Sequence, residues 1–177
     1  MSSGVEFTLR DAIESDLSTI CSIYNHEVDH ATSTLDHDRW LPTECRGWLA
    51  AHAPPQQRIR VVETPSAGVV AWGKLTAWSP KLGYARTTEV SLFVDRAWRG
   101  RDIGGRLLDD LLACAAEGVH RVVIGRIEST NTASLALFAG RGFERVGTMR
   151  GVGEKFGRVL DVVVVQKRLD LAPDPTS

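Results

Sequence analysis

The run TTEVSLFVDRAWRGRDIGGRLLDDLL, from Thr87 to Leu112, places a strand, a basic glycine-rich turn and an amphipathic helix in direct succession. Val90–Val94 is apolar and β-branched or aromatic at most positions, as an extended strand requires. Leu107, Leu108, Leu111, Leu112 and Ala115 recur at helical spacing on one face. Between them lies Arg99-Gly100-Arg101-Asp102-Ile103-Gly104-Gly105. A glycine-rich turn that opens a helix lets backbone N–H groups approach an anion, and the helix dipole favours negative charge there. Arg99 and Arg101 add positive charge. The run therefore predicts a phosphate or pyrophosphate site.

Neither common nucleotide motif fits. A P-loop needs Gly-x4-Gly-Lys-Ser/Thr, and the turn has no Lys-Ser or Lys-Thr. The dinucleotide pattern Gly-x-Gly-x-x-Gly is absent from it as well. The rest of the chain supplies alternating strands and helices. Phe7 and Leu9 alternate in a first strand, and Asp16 precedes a helix carrying Leu17, Ile20, Cys21 and Tyr24 on one face. A second helix is predicted over Glu44–Ala51, ended by Pro54-Pro55. Ile59 and Val61 start a hairpin that turns at TPSAG and returns through Val69–Trp78. After the Leu-rich helix come a strand at Arg121–Ile127, a helix at Asn131–Arg141 capped by Gly142, and strands at Arg145–Met149 and Leu160–Leu169. Antiparallel strands followed by a βαβ unit make a mixed sheet flanked by helices.

Composition bounds the function. A chain of 177 residues with 43% hydrophobic and 24% charged residues reads as one soluble domain, and a net charge of −1 argues against nucleic acid or a polybasic membrane surface as partner. No apolar run is long enough to span a bilayer. Cys21, Cys45 and Cys114, odd in number and without CxxC spacing, read as reduced thiols in a cytoplasmic protein.

The turn resembles the acyl-CoA loop of the GCN5-related N-acetyltransferases, Arg/Gln-x-x-Gly-x-Gly/Ala, here Arg99-Gly100-Arg101-Asp102-Ile103-Gly104. Asp102 stands where that family usually has glycine; Asp tolerates a left-handed backbone better than most residues. Four more segments are similar to the phosphinothricin acetyltransferase-like branch: Ile23-Tyr24-Asn25-His26-Glu27-Val28 with Thr34-Leu35, Gly83–Val94, Asn131-Thr132-Ala133-Ser134 with Gly142-Phe143, and Glu154–Arg158 with Asp161 and Gln166. The branch's closing Trp is Val159 here. The resemblance implies an α/β (mixed α+β) fold whose mixed, mostly antiparallel sheet has about seven strands flanked by about four helices. Chain length reads as one domain over residues 1–171, the two prolines of 172–177 read as a disordered tail, and no metal is expected; the resemblance implies acetyl-CoA as co-substrate and a homodimer.

Chemistry follows from the residues and the resemblance together. Attack on a thioester needs a neutral amine, hence a carboxylate that can accept its proton. Glu89, on the strand leading to the loop, is the candidate catalytic base, and the resemblance gives its counterpart that role. The resemblance places the cofactor against Leu92, Phe93 and Val94, whose backbone can supply an N–H to a developing oxyanion, and against Arg99, Gly100, Arg101, Asp102, Ile103, Gly104, Gly105, Asn131, Ser134 and Phe138. Phe138 occupies the position where many relatives carry a Tyr or His general acid. Asn131 can contact pantetheine or cap its own helix, and both can hold. Tyr84 with flanking Lys81 and Arg86, together with Thr88, Lys155 and Arg158, are the candidate acceptor-binding residues. His26-Glu27-Val28-Asp29-His30 also satisfies the zinc motif H-E-x-x-H. That reading leaves the Arg99–Gly105 loop unexplained, so these residues are read as the rim of a cleft. The expected activity is acetylation of the α-amino group of a phosphinothricin- or methionine sulfoximine-like compound. The alternatives are another small amine, a peptide N-terminus, or a catalytically weak acyl-CoA-binding module.

Overall fold

The structure, a computed structural model, describes residues 6–52 and 55–169; the tail 172–177 and Pro54 lie outside them. Seven strands and four α-helices are present among the described residues. The strands are β1 (Thr8–Asp11), β2 (Ile59–Thr64), β3 (Gly68–Ala77), β4 (Thr87–Val94), β5 (Val122–Glu128), β6 (Glu144–Lys155) and β7 (Arg158–Arg168). The helices are α1 (Leu17–His30), α2 (Pro42–Ala51), α3 (Ile103–Glu117) and α4 (Thr132–Ala139). They form one sheet in the order β1-β2-β3-β4-β5-β7-β6. Every neighbouring pair is antiparallel except β4 and β5. The expected sheet and helix count hold.

The Leu-rich stripe read from the sequence is the hydrophobic contact face of α3. Leu107, Leu108, Leu111 and Ala115 are fully buried against Val62, Val70, Leu75 and Val90 of the sheet. The helix sits so close to β3 that a Cβ on Gly73 would overlap Leu111 and the Ser91 carbonyl. The other sheet face packs α1 through Ile20, Ile23, Tyr24 and Val28 onto Ile59, Val61 and Trp72.

Several expectations need correction. Helix α4 stops at Ala139, two residues short, with Gly140 as its cap; Gly142, at φ 77°, makes the turn into β6. Strand β6 extends to Lys155, beyond Met149, because it pairs with β7 across two register shifts. The apolar run Val162–Val165 needs no partner molecule, since β7 is an interior strand between β5 and β6. The sequence spacing predicts three free thiols; α1 and α2 bury Cys21 and Cys45 in one small cluster with Leu17 and bring their sulfurs into contact, with the Cα atoms 7.5 Å apart. Cys114 remains free and buried.

Candidate active site

Strands β4 and β5 pair only from Thr87↔Val122 to Glu89↔Ile124, and beyond Glu89 they part. The gap exposes backbone, and the register says which groups. The Asp95 N–H donates to the Val70 carbonyl and the Trp78 N–H to the Thr87 carbonyl, so the odd-numbered residues of β4 bond to β3. Antiparallel pairing alternates. The even-numbered Leu92 and Val94 therefore turn their N–H groups into the gap. The Val94 carbonyl, on the same side, accepts from Arg99 Nε at 3.1 Å.

The loop after β4 is held by its own side chains. Asp95 accepts the Ala97 N–H at 2.8 Å, the Arg101 guanidinium lies 4.6 Å from the Trp98 ring centre, and Arg99 donates to Glu27 Oε1 at 2.5 Å. Asp102 adopts the left-handed conformation that the family's glycine would supply, at φ 57°. The first intrahelical bond of α3 runs from the Arg106 N–H to the Asp102 carbonyl. The N–H groups of Ile103, Gly104 and Gly105 thus have no intrahelical acceptor, the arrangement of donors that suits an anion. The Asp102 carboxylate is held by Arg141 Nη2 at 3.1 Å, with Arg106 at 3.8 Å. A Cβ on Gly105 would overlap both the Arg141 guanidinium and that carboxylate, so glycine there makes room for the pair.

A cleft of about 330 Å³ runs along these groups. Of the residues expected to face a cofactor, Leu92, Phe93, Val94, Arg99, Gly100, Asp102, Ile103, Gly104, Gly105, Asn131 and Ser134 line it. Two do not. Arg101 is stacked on Trp98. Phe138 is buried against Phe143, beneath Gly125, and is a core residue. Asn131 both caps α4, accepting the Ser134 N–H at 3.1 Å, and lines the cleft.

A second cleft, about 450 Å³, lies on the opposite face of β4. Side-chain alternation puts Glu89, Ser91 and Phe93 there. The two clefts share Phe93 and Ser33 in their linings. Glu89 accepts from Arg126 twice, Nε to Oε1 at 2.6 Å and Nη2 to Oε2 at 2.9 Å. Tyr24, whose hydroxyl donates to Asp36 at 2.5 Å, is pushed well above the ordinary phenol range by burial and by that acceptor. Glu128 is buried with no ion-pair partner among the described residues: Thr130 Oγ1 donates at 2.6 Å, the Thr130 N–H at 2.9 Å and Thr32 Oγ1 at 3.0 Å. Burial opposes its ionisation, but these donors outweigh it and hold the carboxyl below the usual range. Lys74, from β3, completes the polar wall.

The residues expected to bind an acceptor are not on this wall. Lys81, Tyr84 and Arg86 flank the start of β4 and line neither cleft; Arg86 donates to the Val119 carbonyl at 3.0 Å. Thr88 is even-numbered, so it faces α3, fully buried and bonded to the Thr76 carbonyl. Lys155 lies beneath the cleft, 2% exposed, donating to the Thr34 carbonyl at 2.8 Å and the Glu27 carbonyl at 3.3 Å. Arg158 is exposed on the β6–β7 hairpin. The H-E-x-x-H residues fill other roles. The His26 and His30 rings lie 4.8 Å apart and tilted by 53°, and Glu27 is the buried anchor of Arg99 and Ser33. No group of metal-binding side chains is found among the described residues.

Tyr24, Asp36, Lys74, Arg126 and Glu128 are not among the site residues expected from the sequence. A signal existed for three. A lysine inside the apolar run Val69–Leu75, and Arg126 and Glu128 two apart in an apolar strand, mark polar positions on one sheet face.

Comparison with known proteins agrees with this geometry. Residues 9–164 match the family model of the acetyltransferase (GNAT) domain. The chain is 36% identical over 172 residues to a phosphinothricin N-acetyltransferase of Streptomyces coelicolor, covering 96% of this chain and all of that one (100%). It is 35% identical over 164 residues to an L-methionine sulfoximine/L-methionine sulfone acetyltransferase of Pseudomonas aeruginosa, covering 92% and 95% of the two chains. The solved structure of yncA from Salmonella typhimurium, with its cofactor acetyl-CoA, superposes with a TM-score of 0.89 at 31% identity, covering 96% and 97% of the two chains.

Proposed function

The chain belongs to the acetyltransferase (GNAT) domain family and is an acyltransferase, and from that premise we propose that it moves the acetyl group of acetyl-CoA directly to the α-amino group of a small amino-acid-like acceptor. The favoured acceptors are of the phosphinothricin and methionine sulfoximine class, with Glu89 as general base. The observation that carries the reading is the meeting of the two clefts at Phe93 and Ser33. One cleft offers backbone donors at a helix start; the other offers a carboxylate and a closed polar wall. A cavity of about 450 Å³ suits a small molecule rather than a polymer.

The donor cleft fits a pyrophosphate-bearing thioester. The unpaired N–H groups of Ile103, Gly104 and Gly105 face its anionic part, and the open edge of β4 can pair with its amide arm. Bound there, acetyl-CoA supplies the activated acetyl group. The Leu92 N–H, turned into the gap, is the donor for the carbonyl oxygen as negative charge builds on it. Glu89 takes the proton from the amine. Its bidentate bond to Arg126 uses two of about four lone-pair positions, so outer lone pairs remain for the amine or a bridging water. With Phe138 in the core, no side chain from that position protonates the departing sulfur. A thiol of pKa near 8.5 leaves tolerably as thiolate at neutral pH.

The reading is tested by melting the protein with and without acetyl-CoA, then following thiol release across a panel of amines. Acetyl-CoA should raise the melting temperature, as a ligand of the native state must, and L-methionine sulfone or phosphinothricin should support turnover. No melting shift at millimolar acetyl-CoA would refute the donor cleft. Turnover with peptide N-termini alone would refute the acceptor class. The proposal extends to a two-fold dimer through the free edge of β6, where Val146 is 59% and Val152 51% exposed. Light scattering should give twice the 19.4 kDa chain mass; the monomer mass at micromolar concentration would remove the dimer.

A further inference from the structure

Three carboxylates and two cations line the acceptor cleft, and all but one already have a strong partner. Glu89 and Arg126 hold each other through two bonds. Asp36 accepts from Tyr24, and Glu128 from Thr32 and Thr130. Lys74 has no hydrogen-bond or ion-pair partner among the described residues. Its ammonium lies 5.7 Å from the ring centres of both Trp40 and Trp48, so two aromatic faces fix its position without satisfying its three N–H donors. Of the charged groups on this wall, the Lys74 ammonium is the one whose donors are unmet among the described residues.

The register gives the missing anion a place. Thr76 is paired with Glu89 and Ser91 with Lys74, so Lys74 and Glu89 are diagonal neighbours on one sheet face. Such positions lie roughly 7–8 Å apart at the backbone, within reach of long side chains converging on one small molecule. Building on the acceptor reading above, we propose that Lys74 binds the carboxylate of the acceptor while Glu89 faces its amine, so that the cleft selects amines carrying a carboxylate on the same carbon. Two groups on one carbon can meet two side chains that converge this closely. Burial, which pushes the Lys74 ammonium below the usual lysine range, is offset once a carboxylate arrives, so binding also strengthens the charge it uses. Lys74 is a specificity residue in this account; the proton passes to Glu89.

Calorimetry separates this role from a structural one. CoA-loaded wild type and Lys74→Met are each titrated with L-methionine sulfone and with its α-carboxamide, which keeps the amine and loses the negative charge. Wild type should bind the acid about 10- to 100-fold tighter than the amide, the range of a charged hydrogen bond. Lys74→Met should erase that preference by losing affinity for the acid alone. A preference retained in Lys74→Met, or an equal loss for acid and amide, overturns the proposal. Acetyl-CoA melting shifts on the same samples keep the two readings apart. A wild type that binds acetyl-CoA and neither acceptor overturns the Lys74 assignment and leaves the donor cleft standing; one that does not bind acetyl-CoA fails at the underlying function.

Discussion

The two clefts that meet at Phe93 are built in opposite ways. The donor cleft comes mainly from one contiguous run, Leu92 to Gly105, and presents backbone: an unpaired strand edge and the first N–H groups of α3. The acceptor cleft comes from side chains of α1, the loop after it, β3, β4, β5, β6 and β7, brought together only by the sheet. A backbone site tolerates side-chain drift, because N–H groups are common to all residues but proline. A side-chain site changes ligand with a single substitution. One face of β4 can therefore keep its cofactor while the other face changes acceptor.

The largest effect is expected where the acceptor cleft does chemistry. Glu89→Gln should lower kcat/KM by ~10²–10⁴-fold while leaving acetyl-CoA affinity unchanged. The loss should shrink at high pH, where more of the amine is already neutral. A near-wild-type rate at pH 7 would remove Glu89 as base.

Glu128 tests whether the acceptor wall depends on its polar network. Its carboxylate joins the loop after α1, through Thr32, to the turn before α4, through Thr130. Glu128→Gln should destabilise the protein by about 1.5–3 kcal/mol at pH 7, the scale of hydrogen bonds to a charged group. The sign with pH follows from its lowered folded-state pKa. Such a carboxylate contributes fully above its ordinary unfolded value, about 4.3, and the contribution is lost as pH falls through the folded value. The gap in melting temperature between wild type and variant should therefore narrow below about pH 4. A gap of constant size across that range would mean that packing, not charge, is lost.

The smallest effect sharpens the donor side, where Asp102 is the one exposed carboxylate at the helix start. Asp102→Gly should tighten acetyl-CoA binding and Arg141→Met weaken it, each by roughly fivefold, the upper range for an exposed ion pair. The double variant should return close to wild type, since the pair is in direct contact. Two neutral single variants would show that the donor cleft binds through backbone alone.

The same contrast explains what could be read from the chain. The Arg99–Gly105 turn and the leucines of α3 are local, so a fixed spacing carries both the strand–helix junction and its ligand chemistry. Eleven of the thirteen expected cofactor contacts lie in the cleft; Phe138 falls in the core because α4 turns it towards Gly125 and Phe143. The acceptor side has no such spacing. Lys74 meets Glu89 only through the β3–β4 register, and Arg126 reaches it from β5, 37 positions later. Thr88 lies beside Glu89 in sequence, yet strand alternation turns it to the opposite face. Lys155 reads as a ligand-binding cation from its segment alone; its burial and its bonds to the Glu27 and Thr34 carbonyls come from α1 and the loop after it, which no local spacing shows.

The central claim, that donor and acceptor sit in joined clefts at the same time, is tested most directly by initial rates. Acetyl-CoA and L-methionine sulfone are varied against each other and thiol release is followed. Direct transfer in a ternary complex predicts double-reciprocal lines that intersect. Parallel lines, the pattern of an acetylated enzyme that releases CoA before the amine binds, would contradict it.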